Sequence, residues 1–432
     1  MKKIFFVSGF LLAAFACAKA QDVNTLIQQP DIEHVIKTLS ADDMQGRFEG
    51  TPGIEKAAEF IESEYKQAGL KPFPGDASYR QNFSLIKTLP VKTSVEIDGK
   101  PIPEDSVFTS TGAKELHWNN GSGIEIAKIS AGQNFREEYL KYAVGDKKVL
   151  ILVDPQFTAT FNRLRERSKT GAYGLNANTD RAMVFVLGTH DNLKSFRVDY
   201  TGQSVQVPVF NIVGIIPGNT KPNEYVVFSG HYDHLGILKP VQGDSIANGA
   251  DDDASGTTAV IELAKYFNHL HNNARTLVFV AFTGEELGEL GSQHFATTVD
   301  PDKVVAMFNI EMIGKPSKFG ESSAFITGFD RSDFGKILQK NLLGTPFDFH
   351  PDPYPEQDLF YRSDNASLAK VGVPAHTIST DQIDIDKYYH TVKDEFSTLD
   401  VANIASTIRA IALSSRTIVS GKDTPTRVAK EK

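Results

Sequence analysis

From Val207 onward, strand-like and helix-like segments alternate, and this alternation limits the fold more than any other feature. Apolar runs at Tyr225–Ser229, Thr276–Phe282, Val304–Ile310 and Ala375–Ser379 read as buried strands. Between the first two, Ala259, Val260, Leu263, Ala264 and Phe267 recur on one side of a helix predicted over Ser255–His271. A last helix is predicted over Val401–Val419. The pattern predicts an α/β fold, with a mixed, largely parallel central sheet flanked by helices. Upstream, residues 31–70 read as helical. Thr51 and Pro52 suit a helix start, Ala57, Phe60, Ile61, Tyr65 and Ala68 recur at helical spacing, and Gly69 suits the end. From about 100 to 205, short apolar runs such as Val149–Val153 and Ala182–Leu187 stand between polar, glycine-containing stretches. That texture predicts an inserted, mostly β module.

Composition excludes several classes. With 41% hydrophobic and 23% charged residues the chain is neither disordered nor a membrane bundle. A net charge of −9 gives no electrostatic footprint for nucleic acid. The N-terminus carries Lys2 and Lys3, an apolar run from Ile4 to Ala16, and the small-residue pattern Ala18-Lys19-Ala20. This predicts a signal peptide over residues 1–20 and an exported protein, periplasmic or secreted. Lipid anchoring at Cys17 is the weaker alternative, because a bulky Phe15 stands where small residues are usual. No later segment resembles a transmembrane helix. Cys17 is the only cysteine, so a metal in the mature chain would rest on histidine and carboxylate ligands.

Polar groups gather where strands end. Tyr225–Gly230 runs into His231, Asp233 and His234; Thr276–Phe282 into Glu285 and Glu286; Val304–Ile310 into Glu311. Asp251-Asp252-Asp253 opens the helix after the first strand, and Tyr389-His390 follows the last. Ligands of open α/β sheets bind beyond the carboxyl ends of the strands. Taken singly, each cluster has a plainer explanation: a satisfied histidine, a solvated acidic run, or an aspartate capping a helix. Taken together they put several carboxylates beside buried strands, which is costly without a cation. Histidine and carboxylate donors suit zinc.

The segments Ser229–Gly236 (SGHYDHLG), Gly249–Gly256 (GADDDASG), Phe282–Ser292 (FTGEELGELGS), Asn309–Gly314 (NIEMIG), Arg362–Asp364 and Tyr389–Thr391 closely resemble the secreted di-zinc aminopeptidase family. That family includes bacterial leucyl aminopeptidases, glutamate carboxypeptidase II and glutaminyl cyclase. The likeness spans about residues 207–420, with fainter echoes at Met44–Arg47 and Gly50–Gly53. It implies two Zn2+ per chain, one held by His231 and Glu311, the other by Glu286 and His390, with Asp252 bridging. It implies Glu285 as general base, Tyr389 as hydrogen-bond donor to the tetrahedral intermediate, and Asp233 as the group that orients His231. Asp364 is expected to support the site, and His234 and His376 to act as supporting or structural groups. Glu311 stands where many relatives have Asp, and Asn365 where His is frequent. The implied domain plan is a leader over 1–20, an N-terminal part of the peptidase domain over 21–100, and a protease-associated-like insert over 101–205. The catalytic domain then spans 206–421 and a charged tail 422–432. The implied activity is hydrolysis of peptides from a free N-terminus, with glutaminyl cyclase-type acyl transfer or a metal-free binding protein as alternatives.

Overall fold

The computed structural model of the protein describes residues 23–143, 145–177 and 180–431. The expected leader over 1–20, with Cys17, lies outside the described residues. The principal strands are β1 (Arg80–Ile97), β2 (Phe196–Ile216), β3 (Lys221–His231), β4 (Arg275–Phe282), β5 (Val304–Ile310), β6 (Ser323–Ile326), β7 (Asp348–Pro351) and β8 (Ala375–Ser379). They lie in the order β7-β6-β8-β5-β3-β4-β2-β1 within a 12-stranded mixed sheet. Pairing is parallel from β4 through β3 and β5 to β8, and antiparallel at β6–β8 and at β4–β2–β1.

Every residue of β4 and β5 is buried. Central parallel strands are covered on both faces, so they need continuous apolar runs rather than alternation. One face packs against helices α1 (Gln29–Leu39), α2 (Pro52–Gln67), α3 (Gly256–Leu270) and α5 (Val401–Ser414); Phe228, stacked on Phe279 and Phe308, lies at the middle of that core. The opposite face holds Val227, Val278, Val280 and Phe282 under α4 (Leu290–Thr298), where Phe295 packs. The predicted alternation of strand and helix is thus the architecture, and the sheet is mixed as expected, with parallel pairing confined to its centre and to β6–β7 and antiparallel pairing elsewhere.

The stretch read as helical over 31–70 is two helices, α1 and α2, separated by a compact turn at residues 40–51. Gln45, Gly46 and Arg47 there all adopt left-handed backbone, with φ of 51°, 66° and 50°. Non-local bonds described below hold this conformation against local preference. Gly69, with φ of 77°, ends α2 as the sequence suggested.

Strands β1 and β2 continue beyond the main sheet as a long antiparallel pair and carry the region between them. That region has its own four-stranded sheet, Val107–Thr111, Ala182–Leu187, Lys148–Val153 and Glu125–Ile129, with helices Phe135–Ala143 and Thr158–Lys169 beside it. Its core, around Val149, Ile151, Phe161 and Phe185, is separate from those of the main sheet.

Candidate metal centre

The carboxyl ends of β3, β4 and β5 and the turn before α3 converge on one point. His231 ends β3, Glu285 and Glu286 follow β4, and Glu311 follows β5. Asp252 stands between them in the turn at residues 250–255, where Asp252 and Asp253 leave helical backbone. His231 Nε2 lies 3.1 Å from Asp252 Oδ1, and His390 Nε2 lies 3.2 Å from Asp252 Oδ2 and 3.2 Å from Glu286 Oε2. His234 Nδ1 lies 2.8 Å from Glu286 Oε1. The donor atoms of His231, Asp252 and Glu311 form one group within 4.8 Å of one another, and those of His234, Asp252 and Glu286 form a second. Asp252 belongs to both.

The donor atoms fit a metal centre for a second reason. His231 Nε2, both His234 nitrogens, Asp252 Oδ2, Glu286 Oε1 and Glu311 Oε2 are buried without a hydrogen-bond partner among the described residues. They approach one another without hydrogen-bond geometry, as lone pairs directed at a shared cation would. Buried polar groups are normally satisfied, so this many unsatisfied atoms at one point call for an ion. Hard oxygen and borderline imidazole donors suit zinc.

The charges are strongly coupled. Burial pushes Asp252 up, but His231, His390 and His234 outweigh it and hold the carboxyl well below the usual range. Burial and Asp252 push Glu286 up, while His234 and His390 bring it down to about 2. Burial lowers His390, yet Asp252 and Glu286 lift it to about 10. A cation binding at His231 and His390, both raised against burial by the neighbouring carboxylates, would compete with protons there. For Glu285, burial raises the carboxyl well above its usual range, opposed by His231 and reinforced by Glu311, Glu286 and Asp364.

The three consecutive aspartates have three different jobs. Asp251 accepts from the Gly314 amide at 2.7 Å and pairs with Lys315 at 3.1 Å. Asp252 faces the histidines. Asp253 accepts from the amides of His231 (3.1 Å), Gly256 (3.0 Å) and Met312 (3.1 Å), tying the ends of β3 and β5 to the start of α3. Gly230 and Gly256 allow this approach: a Cβ on either would lie within 2.7 Å of Asp253.

Residues 211–414 match a family model described as Peptidase family M28. An aminopeptidase from an Aneurinibacillus strain has a similar fold: TM-score 0.59, 17% identity, 95% of this chain and 97% of that one covered. A zinc aminopeptidase from Bacillus subtilis gives TM-score 0.55, 16% identity, and 94% and 98% coverage. The "Probable leucine aminopeptidase" of Arthroderma otae is 31% identical over 209 residues, 45% of this chain and 53% of that protein. The "Probable zinc metalloprotease" of Pyrenophora teres f. teres is 40% identical over 110 residues, 25% of this chain and 23% of its own length. The chain thus spans between about a quarter and half of these curated relatives.

The residues singled out in the sequence lie as follows. His231, Asp252, Glu286, Glu311 and His390 meet at the centre described above. His390 is its solvent side, with 37% of its side chain exposed. Tyr389 stacks on the His390 ring at 3.8 Å. Asp233 accepts the amides of Glu285 and Glu286, each at 3.2 Å. His231 Nδ1 meets the Asp233 backbone carbonyl at 3.2 Å, closer than the Asp233 carboxylate at 3.7 Å. Asp364 is fully buried with both oxygens unpartnered, and burial raises it well above the usual range. Asn365 is buried away from the cleft and binds the carbonyls of Phe360 and Ala375. His376 is structural: Ser332 and Thr327 occupy its two ring nitrogens. His234, set aside as a supporting group, stands among the donors. Its sequence signal was the repeat of histidine two residues after Asp233's predecessor, in the run His-Tyr-Asp-His.

A cleft opens beside Glu311 and Tyr389, with Met312, Phe325, Leu359 and Ile383 as apolar walls. Arg362 also lines it, donating to Gln357 Oε1 at 3.2 Å. The region between β1 and β2 also reaches the centre: Arg167 Nη2 donates to the Glu286 carbonyl at 3.3 Å. Sequence reading assigned no chemistry to that region, and Arg167 carried no signal there.

Proposed function

We propose that the protein is an exported metalloaminopeptidase that removes N-terminal residues from peptides, with two Zn2+ per chain and Glu285 as general base. The observation that supports this most is the pair of unsatisfied donor groups sharing Asp252. His231 and Glu311 would hold one ion, Glu286 and His390 the other, with Asp252 common to both. Ions held there supply polarisation of a peptide carbonyl and activation of water near neutral pH.

The chain's own residues do the rest. Glu285 accepts the proton of the attacking water and returns it to the leaving amine. Asp233 fixes the backbone from which Glu285 and Glu286 diverge. Tyr389, held against His390, offers its hydroxyl to the oxygen that gains charge during attack. The cleft walls Met312, Phe325, Leu359 and Ile383 take an apolar side chain. Excess carboxylate at the centre attracts a protonated substrate amine, which favours cleavage at a free N-terminus. Export rests on Lys2, Lys3 and the apolar run from Ile4 to Ala16. No helix among the described residues is long and apolar enough to cross a membrane.

The test is digestion of a peptide library by the purified protein, with and without chelator, alongside peptides that begin with Gln. Chelator-sensitive loss of N-terminal residues is expected. Cyclisation of the Gln peptides without hydrolysis would favour acyl transfer. Protein that takes up no zinc and cleaves nothing would favour a binding protein.

A further inference from the structure

The turn at residues 40–51 lies outside residues 211–414, which the family model matches, yet it sits directly on the candidate metal loops. Arg47 within it is fully buried. Its guanidinium donates from Nε to the Tyr232 carbonyl at 2.7 Å. From Nη1 it donates to the carbonyls of Leu39 and Asn248, both at 2.6 Å, and from Nη2 to Gly249 at 2.9 Å. The His234 amide donates back to the Arg47 carbonyl at 3.2 Å. Tyr232 lies between His231 and Asp233. Asn248 and Gly249 lead into Asp252. One planar group therefore joins the loop bearing both histidines to the loop bearing the shared carboxylate.

The surrounding backbone is shaped for this contact. A Cβ on Gly46 would stand 2.6 Å from the carbonyls of both Ala247 and Gly236, so only glycine fits there. A buried guanidinium is costly unless its donors are satisfied. Arg47 finds four carbonyls; burial lowers its pKa from the usual value, and Asp394, Asp233, Asp252 and Asp253 oppose that shift in part. The strap extends further, because Asn248 Nδ2 bonds both Asp42 and Glu395, each at 3.0 Å. Glu395 belongs to the segment that carries His390.

We propose that Arg47 is a positioning residue for the metal centre, setting the separation between the His231–His234 loop and Asp252 from outside residues 211–414. The inference rests on the metal reading above. Lysine cannot substitute, because an ammonium lacks the planar fork that spans four separate carbonyls.

The experiment uses full-length Arg47→Lys and Arg47→Met protein, stripped of metal. Zinc affinity is read by competition with a chromogenic chelator, and thermal unfolding is followed with and without zinc. Both variants are expected to bind zinc about 10–100-fold more weakly than wild type, with a smaller rise in Tm on zinc addition. A residue that only supported the fold would lower the Tm of the apo-protein and leave zinc affinity intact. That result overturns the proposal, as does full recovery in Arg47→Lys. If neither variant folds, Asn248→Ser, which cuts the same strap at Asp42 and Glu395, is measured instead. Weakened zinc binding there supports the proposal and wild-type affinity overturns it. Wild-type protein that takes up no zinc overturns the metal reading, and this inference with it.

Discussion

Asp233 and Glu286 are joined through the backbone: the Glu286 amide donates to Asp233 Oδ2 at 3.2 Å, while Asp233 Oδ1 takes the amide of Glu285. One carboxylate thus fixes the peptide from which the proposed base and the proposed ligand diverge. Asn at position 233 would turn an NH2 group towards one of these amide donors, replacing an attraction by a repulsion. Asp233→Asn is expected to weaken zinc binding about 10–100-fold while the far-UV circular dichroism stays that of wild type. Unchanged affinity by chelator competition would show that the Glu286 backbone needs no such support.

Glu285 and Glu286 differ in what surrounds them. Glu286 faces His234 and His390, whereas burial and the neighbouring carboxylates Glu311, Glu286 and Asp364 raise Glu285. Glu285→Gln keeps the size of the side chain and removes its ability to take a proton. Turnover on an aminoacyl anilide is expected to fall by roughly 10²–10⁴, with zinc content per chain equal to wild type by elemental analysis. Retained turnover would move the proton transfer to another group.

His234 and His390 compete for one place. His234 Nδ1 is fully buried against Glu286 Oε1, and His390, with 37% of its side chain exposed, sets Nε2 between Asp252 and Glu286. If His390 is the ligand, His390→Ala lowers zinc content from about two to about one per chain, and His234→Ala retains both ions. The reverse outcome would assign the second ion to His234.

The strands were legible because β4 and β5 are buried on both faces and require unbroken apolar runs, a signal that survives without any tertiary knowledge. The acids and histidines at their ends were legible for the same reason, since β3, β4 and β5 each fix where their first polar residue emerges. The turn at 40–51 was not. Its left-handed residues Gln45, Gly46 and Arg47 are held by carbonyls at Tyr232, Asn248 and Gly249, about 200 positions away, and local propensity carries no trace of such partners. The family resemblance singled out Asp252, but the separate roles of Asp251 and Asp253 were hidden likewise. The turn's departure from helical backbone at Asp252 and Asp253 sends three identical side chains to three different sites.

His376 makes stability depend on pH away from the metal centre. It is fully buried, its ring stacked on Phe334 at 4.8 Å, with Ser332 at Nε2 and the Thr327 carbonyl at Nδ1. Burial lowers it from 6.5 to about 4, with Arg331 acting in the same direction and the Thr327 bond opposing. Above pH 6.5 the ring is neutral in both folded and unfolded chains and has no effect on stability. Between pH 6.5 and 4 the unfolded chain takes up a proton that the folded one refuses, so stability falls as pH falls. The loss reaches on the order of 3 kcal/mol near pH 4 and about 2 kcal/mol at pH 5. Urea midpoints at pH 7 and pH 5 check this for wild type and His376→Gln, which keeps a polar side chain and removes the titration. The variant is expected to start less stable at pH 7 and to lose less between the two pH values. Equal losses in both proteins would mean that His376 does not set the acid limit of the fold.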